Sequence, residues 1–202
     1  MRQKSRTQMD AGGRPRLAIT PPQIVGPFYP VTERPDLAAN LARPSGSAAE
    51  ARGQLLYVTG RVLTRSGEPV PHARIEIWQA NAAGKYRHPS DTNPAPLDPN
   101  FRGFAQLTTD VAGRYAFRTI KPGRYPTADG EMRPPHIHFT VDGRLDRLVT
   151  QLYFAGEPEN QTDRWLNSLP QPERLIVTLQ APLSHLESCA CLAHFDIVLP
   201  SG

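Results

Sequence analysis

Short β-rich runs separated by turns fill the chain from residue 55 onward, and they limit what it can fold into. Each run alternates between apolar and polar residues or is rich in β-branched and aromatic side chains. Turn dipeptides such as Ser66-Gly67 and Ala112-Gly113 lie between the runs. The predicted strands are Gly60–Thr64, Arg74–Ala80, Gly103–Thr109, Arg114–Ile120, His136–Val141, Leu148–Phe154, Leu175–Gln180 and Ala193–Leu199. The series predicts one all-β domain over residues 51–202, an antiparallel β-sandwich.

The first 50 residues differ from the rest of the chain in composition and pattern. They are rich in Pro, Gly, Ala and Ser and lack a sustained period, apart from a short helical pattern at Asp36–Leu41. We expect residues 1–50 to form an irregular N-terminal arm that is partly disordered or takes part in subunit contacts. Residues 1–17 hold five basic residues and one acidic residue, which equals the whole formal charge of +4. The remainder is neutral, so a nucleic-acid partner is not expected.

Two further absences narrow the function classes. No apolar run approaches the roughly 20 residues needed to span a bilayer, and no apolar stretch follows the basic N-terminus as in a secretion signal. We therefore expect a cytosolic protein with no membrane partner. The two cysteines, Cys189 and Cys191, would point to opposite faces of an extended segment, and two thiols alone make a poor zinc site. Both are expected to be reduced.

Two histidines stand two residues apart in the segment RPPHIHF, residues 133–139. Side chains alternate along a strand, so His136 and His138 project from the same face and Ile137 from the other. This arrangement suits two ligands of one metal ion, although an isolated pair of this kind also occurs as hydrogen-bonded core histidines. Arg133, which stays protonated, stands three residues before the first imidazole.

One long stretch, residues 84–102, shows no strand pattern and carries four prolines. Loops of this length in compact domains are usually functional or disordered. The stretch contains Tyr86, Arg87 and His88 together with several Asp and Asn residues, which favours function. The sequence has no G-x-S-x-G, G-x-G-x-x-G or P-loop pattern.

Six segments stand in an order that is typical of one enzyme family. They are Gly60–Pro71, Ile77–His88, Leu97–Phe101, Thr119–Pro126, Arg133–Phe139 and Thr150–Phe154. With these segments the chain resembles the intradiol ring-cleaving dioxygenases over about residues 52–200. The likeness is greatest to the iron-bearing subunit of members that cleave protocatechuate, and it implies a β-sandwich of transthyretin-like topology.

Carried over motif by motif, the resemblance implies four iron ligands. It assigns Tyr86 and His136 to the equatorial plane with a bound hydroxide, and Tyr125 and His138 to the axial positions. The implied cofactor is one non-haem Fe(III) per chain. Two phenolates and a hydroxide offset the charge of Fe(III), and hard anionic oxygen donors favour the ferric state. A ferrous oxygenase would instead show two histidines and one carboxylate.

The implied reaction is the cleavage of a catechol by O2 to a cis,cis-muconate, with protocatechuate and 3-carboxy-cis,cis-muconate as the expected substrate and product. The catechol would bind the iron as a dianion while Tyr125 leaves the metal and takes a proton. Oxygen then attacks the ring, acyl migration gives a cyclic anhydride, and the iron-bound hydroxide opens it. Arg133 would lie beside the substrate and stabilise the carbanion-like ring, and Gln151 matches a pocket glutamine.

The N-terminal segment adds an expectation about assembly. Residues 20–28, TPPQIVGPF, resemble the opening of the family's α subunit, which lacks iron ligands but lends a Gly-Pro edge to its partner's pocket. We expect a homo-oligomer in which Gly26 and Pro27 help to close a substrate pocket, with a hetero-oligomer containing an α-type subunit as the alternative. The chain also departs from the family, which commonly has a tryptophan where this sequence has Thr127.

Two alternatives to protocatechuate cleavage stay open. The first keeps the chemistry but changes the ring, to a hydroxylated, chlorinated or sulfonated catechol. Basic residues in or beside the site segments make a carboxylate-bearing catechol electrostatically reasonable; they are Lys85, Arg87, Arg124 and Arg133. The second alternative is a non-catalytic binding module, because the patterns at residues 60–75 and 109–117 also occur in transthyretin-like and adhesin-like domains. Such modules have no reason to keep both tyrosines and both histidines.

Overall fold

The computed structural model describes residues 16–31, 39–47, 49–184 and 186–202. The basic residues Arg2, Lys4, Arg6 and Arg14 lie outside these ranges. Half of the segment Asp36–Leu41, residues 36–38, lies outside them too, and its described residues, 39–41, are not helical. None of the helices within the described ranges is long and apolar enough to span a bilayer.

In the described part of the chain, the strands form two larger sheets and one ribbon. The four-stranded sheet contains β1 (Leu55–Thr64), β4 (Arg114–Ile120), β10 (Cys191–His194) and β11 (Ile197–Leu199). The five-stranded sheet has the order β3 (Phe104–Thr108), β2 (Arg74–Trp78), β7 (His136–Asp142), β8 (Arg147–Phe154) and β9 (Ile176–Val177). The ribbon pairs β5 (Tyr125–Pro126) with β6 (Met132–Arg133). A short helix, α1 (Arg164–Asn167), lies between 3-10 turns at Pro158–Gln161 and Pro172–Leu175.

The all-β sandwich predicted from the sequence is confirmed, with a difference in strand direction. The pairs β1–β4, β2–β3, β2–β7 and β7–β8 are antiparallel, whereas β10 and β11 pair in parallel with β1, and β9 pairs in parallel with β8. Parallel neighbours require a crossover, which the long connections before β9 and β10 supply. Of the predicted strand Leu175–Gln180, only Ile176–Val177 forms a strand of the five-stranded sheet.

The predicted strand Ala193–Leu199 divides into β10 and β11 where the chain crosses β1 at Gly60. The Phe195 carbonyl comes so close that a Cβ on Gly60 would lie 1.9 Å from its oxygen. Only glycine fits such an approach. The hydroxyl of Tyr115 donates to the same carbonyl at 2.5 Å, so a side chain supplies the hydrogen bond to this carbonyl between the two strands.

The hydrophobic core lies between the two larger sheets. Phe139 of the five-stranded sheet contacts the rings of Tyr115 and Phe117 of the four-stranded sheet, with ring centroids 6.2 and 6.0 Å apart. Residues of the N-terminal arm also enter this core: Leu41 and Ala42 are fully buried. The boundary at residue 50 stays a prediction.

Strand β7 positions the candidate site because both of its faces are buried. Ile137, Phe139 and Val141 point into the core, and His136 and His138 occupy the opposite face. All five side chains are at most 2% exposed. The second face is therefore covered by other parts of the chain.

Replacing Phe139 with alanine should test how much the core depends on this strand. The ring is fully buried and contacts two aromatic rings of the opposite, four-stranded sheet, so we expect the free energy of unfolding to fall by about 3–5 kcal/mol in denaturant titrations. The matched control is Val111→Ala, at a residue 75% exposed, which should change it by less than about 0.5 kcal/mol. Equal effects of the two substitutions would contradict the assignment of Phe139 to the core.

Candidate metal centre

Four nitrogen- and oxygen-bearing side chains meet on the outer face of β7. The Nε2 atoms of His136 and His138 are 3.1 Å apart, and the Tyr125 hydroxyl lies 3.4 Å from His136 Nε2. The ring centroid of Tyr86 is 5.2 Å from that of Tyr125 and 6.2 Å from that of His138. The structure thus brings together the four residues that the sequence singled out as candidate ligands.

The two tyrosines come from separate segments that dock against each other. Tyr86 belongs to the long loop, and its backbone N–H donates to the buried carboxylate of Asp91 at 2.7 Å. Gly84 lies against the backbone of Arg124, where a Cβ would be 2.1 Å from the carbonyl oxygen. This close approach, together with a φ of +78° at Gly84, explains why glycine stands between the two tyrosine segments.

The histidines are oriented by different neighbours. His136 Nδ1 lies 2.7 Å from the Pro134 carbonyl oxygen, which can only accept, so Nδ1 carries a proton. In the neutral ring, Nε2 of His136 then presents a lone pair to the cluster. His138 stacks on the indole ring of Trp78, with ring centroids 4.7 Å apart and the planes inclined by 9°. Its Nδ1 makes no hydrogen bond to any described residue.

Burial keeps the four groups neutral when no cation is present. It lowers the pKa of His136 and of His138 well below the ordinary imidazole value, and the positive charge of Arg133 lowers both further. Burial also raises the pKa of Tyr86 and of Tyr125, although Arg133 opposes the rise at Tyr125. Neutral imidazole nitrogens and phenol oxygens are therefore left facing one another.

This donor set fits a metal cation. The buried hydroxyl of Tyr86 makes no hydrogen bond to any described residue, and a buried polar atom without a partner is costly. Two nitrogen lone pairs at 3.1 Å also repel each other unless a proton or a cation lies between them. Within the described ranges no three His, Cys, Asp or Glu residues are placed so that they could hold a metal ion, so a metal at this site would need the phenols as ligands. Two imidazoles and two phenolates suit a hard, highly charged ion such as Fe(III).

Arg133 lies beside the cluster in a buried polar network. Its Nε donates to Asp163 Oδ2 at 2.6 Å, and its Nη2 donates to Gln151 Oε1 at 3.0 Å and to the Tyr153 hydroxyl at 2.9 Å. Its guanidinium carbon lies 4.3 Å from the ring centroid of Trp165. Sequence reasoning identified Arg133 and Gln151 but missed Asp163, Tyr153 and Trp165. Tyr153 stands inside a family-like segment, whereas no local pattern distinguishes Asp163 or Trp165.

A strap of N-terminal residues, 16–29, covers the network and the histidines of the same chain. The N–H of Gln23 donates to the Val149 carbonyl at 2.8 Å, and Gln151 Nε2 donates to the Ile24 carbonyl at 2.9 Å. A Cβ on Gly26 would lie 3.2 Å from Cε1 of His138. The structure thus places Gly26 against the cluster, whereas the neighbouring Pro27 is exposed.

The chain is similar to several known proteins. The family described as "Dioxygenase" matches residues 24–201. The chain is 42% identical over 178 residues, 86% of this chain and 76% of the relative, to the β chain of protocatechuate 3,4-dioxygenase from Burkholderia cepacia. It is 33% identical over 172 residues to the α chain from Burkholderia cepacia, with 78% of this chain and 81% of the relative covered.

A solved structure gives the same result for the fold. The structure of catechol 1,2-dioxygenase from Acinetobacter sp. ADP1, inhibited by bound mercury, is similar with a TM-score of 0.69 and 27% identity. The similarity covers 90% of this chain and 63% of that chain. The resemblance drawn from the ordered motifs is confirmed by the family match and the identity to its members: this chain belongs to the intradiol ring-cleaving dioxygenases, a family of oxidoreductases.

Proposed function

We propose that the chain cleaves a catechol between its two hydroxyl-bearing carbons, with O2 and non-haem Fe(III), to give a cis,cis-muconate. The observation that carries this proposal is the meeting of two imidazoles and two phenols beside a buried arginine. The ligands are Tyr86, Tyr125, His136 and His138, with one iron per chain. Bound Fe(III) would hold the catechol as a dianion and make its ring reactive toward O2.

The protein groups have separate roles in this proposal. A catechol must lose two protons to bind a metal through both oxygens, and the Tyr125 hydroxyl oxygen accepts one of them. Arg133 stabilises negative charge that develops on the ring, because its guanidinium is buried, permanently charged and fixed by neighbours. Gln151, Gly26 and Pro27 are assigned to the substrate pocket.

Protocatechuate is the proposed substrate. The support for this substrate is the 42% identity to a relative named for protocatechuate. The basic residues next to the site add little support, because each has a partner within the chain. Lys85 pairs with Asp91 at 3.5 Å, Arg87 donates to the Asp98 carbonyl at 2.9 Å, and Arg124 pairs with Glu159. A carboxylate on the ring therefore has fewer unengaged cations nearby than the sequence implied.

Another catechol, unsubstituted or with other ring substituents, is the alternative substrate, because the similar solved structure is named a catechol 1,2-dioxygenase. To decide between them, protocatechuate is compared with unsubstituted, hydroxylated and chlorinated catechols. Cleavage of each substrate is measured in air as the loss of its absorbance. A preference for catechol over protocatechuate by kcat/KM would overturn the choice of substrate and leave the reaction class intact.

For assembly we propose a homo-oligomer, and the cytosolic location stays a prediction. The strap contacts the site of its own chain, so the chain carries both the candidate ligands and the Gly-Pro edge. The alternative is a hetero-oligomer with an α-type subunit, and the likeness to both chains of protocatechuate 3,4-dioxygenase keeps it open. Activity of the purified chain alone, with its mass from light scattering, separates the two.

Iron content and colour test the metal centre. We expect about one iron per chain and a red-brown protein, because tyrosinate-to-Fe(III) charge transfer absorbs visible light. His138→Ala should lose most of the iron, since it removes a nitrogen donor at the middle of the cluster. The control His194→Ala, at an exposed residue of β10, should keep it. A colourless active protein that contains zinc would rule out the ferric centre, and a colourless inactive one would favour a binding module.

Tyr125→Phe tests the proposed proton acceptor. We expect most of the iron to remain, while catechol binds more slowly and steady-state turnover falls far more than iron content does. Anaerobic stopped-flow mixing with protocatechuate measures the binding rate before O2 is added. In the control Tyr57→Phe, the lost hydroxyl donates to Glu187 and belongs to β1 of the four-stranded sheet, so the variant should bind and turn over like the native protein. Native rates in Tyr125→Phe would remove the residue from the mechanism.

Gly26→Ala tests whether the strap shapes the site. Both Gly26 and Gly46 have positive φ, +74° and +83°, so alanine should cost each position a similar backbone strain of about 1 kcal/mol. Only at Gly26 would the new methyl group meet a neighbour, His138, because nothing lies within 4 Å at Gly46. We expect iron retention and kcat/KM to fall in Gly26→Ala and to stay near native in Gly46→Ala. Equal behaviour of the two variants would place the strap outside the site.

A further inference from the structure

The buried carboxylate of Asp163 holds one edge of the Arg133 guanidinium. The side chains of the pair are 3% and 0% exposed, and Arg133 Nε lies 2.6 Å from Asp163 Oδ2. Nη2 is held by Gln151 and Tyr153. Nη1 takes part in none of these three hydrogen bonds, so it can donate to a bound ligand.

Asp163 is itself held by α1. Its second oxygen, Oδ1, accepts from the backbone N–H of Leu166 at 2.7 Å, and Leu166 is 1% exposed. The carboxylate thus joins the arginine to a helix anchored in the core. Each oxygen has one fixed donor, which leaves the carboxylate a single orientation.

Trp165, on the same helix, restricts the guanidinium in a second direction. The guanidinium carbon of Arg133 lies 4.3 Å from the ring centroid, and that of Arg164 lies at the same distance from it. The Trp165 carbonyl accepts from Gln23 Nε2 of the strap at 2.8 Å. The in-plane hydrogen bond that Arg133 donates to Asp163 and a facing aromatic ring together fix both the rotation and the tilt of a planar cation.

A purely stabilising role would be a weak reason to keep this pair. Taking two charges out of water is costly, and apolar residues of similar volume often stabilise a protein equally well. An arginine without such partners would lose its orientation, whereas catalysis by a preorganised charge requires a fixed one.

We propose that Asp163, assisted by Trp165, is a positioning residue that orients Arg133 so that Nη1 faces the bound catechol. The proposal rests on the proposed function, because Arg133 is assigned there to the substrate. It adds two residues that act through Arg133 and do not touch substrate or metal themselves.

Asp163→Asn is the first variant for the test. Its single amide oxygen cannot accept from both Leu166 N–H and Arg133 Nε, and an amide NH2 would face a donor. We expect kcat for protocatechuate to fall by about 10²-fold, typical of a misplaced catalytic group, with KM changed less than about threefold. Iron content and the visible absorption should stay native. The control Arg164→Gln removes the other cation that lies over Trp165. The Arg164 side chain is 53% exposed, so this variant should keep kcat within about twofold of the native value.

A double-mutant cycle with Arg133→Leu distinguishes positioning from a general structural effect. If Asp163 acts only through Arg133, the double variant should have the kcat of Arg133→Leu within about twofold. A kcat reduced by the product of the two single effects would overturn the proposal. A loss of iron from Asp163→Asn in proportion to its loss of activity would overturn it too.

Two further measurements keep the outcome clear. If Asp163→Asn does not fold, Trp165→Leu takes its place. It should lower kcat about fivefold, the equivalent of one cation–π contact, in the protein that has Arg133 but not in Arg133→Leu. In the metal-free protein, Asp163→Asn should lower the denaturation midpoint of the native background but not that of Arg133→Leu, in which the buried carboxylate has already lost its partner. A wild-type protein that cleaves no catechol would instead refute the proposed function, while the metal-free cycle would still report the Asp163–Arg133 pair.

Discussion

Burial of β7 on both faces is the constraint on which the rest of the structure depends. One face supplies Ile137, Phe139 and Val141 to the core, and the other carries His136 and His138. Because the side-chain period of a strand is two residues, a slip by one residue would place imidazoles in the core and aliphatic side chains in the site. The energetics of the core therefore fix the positions of the two histidines.

The covered outer face creates a polar interior that needs compensation. The strap, the long loop, the β5–β6 ribbon and the α1 region together keep water away from it, and they do so with backbone hydrogen bonds and paired side chains. Among the described residues, the hydroxyl of Tyr86, Nδ1 of His138 and Nε1 of Trp78 are buried at this face without a hydrogen-bond partner, and the Nε2 atoms of His136 and His138 lie only 3.1 Å apart. Such exceptions in a well-satisfied interior are typical of a functional site.

Much of the fold and part of the candidate site could be predicted from the sequence. Alternation of β-formers predicted most strands, and the H-x-H pattern predicted two imidazoles on one face, because both depend on local geometry. The parallel pairing of β10 and β11 with β1 could not be predicted, since it depends on a crossover between distant segments. Asp163 and Trp165 were not predicted for the same reason. Nothing in the sequence next to either residue indicates that its partner is Arg133, 30 or more positions away.

The sequence by itself determined which chemical groups are available and on which face of each strand they stand. It also determined the family, because six ordered segments together are specific where each alone is not. Only the tertiary structure decided which groups meet: Gln151 bonds Ile24 across 127 positions of the chain, and Arg133 pairs with Asp163 across 30. Alternation and charge are properties of neighbouring residues, whereas the meeting of distant segments depends on sheet pairing and loop docking, where the burial of the whole core selects one arrangement.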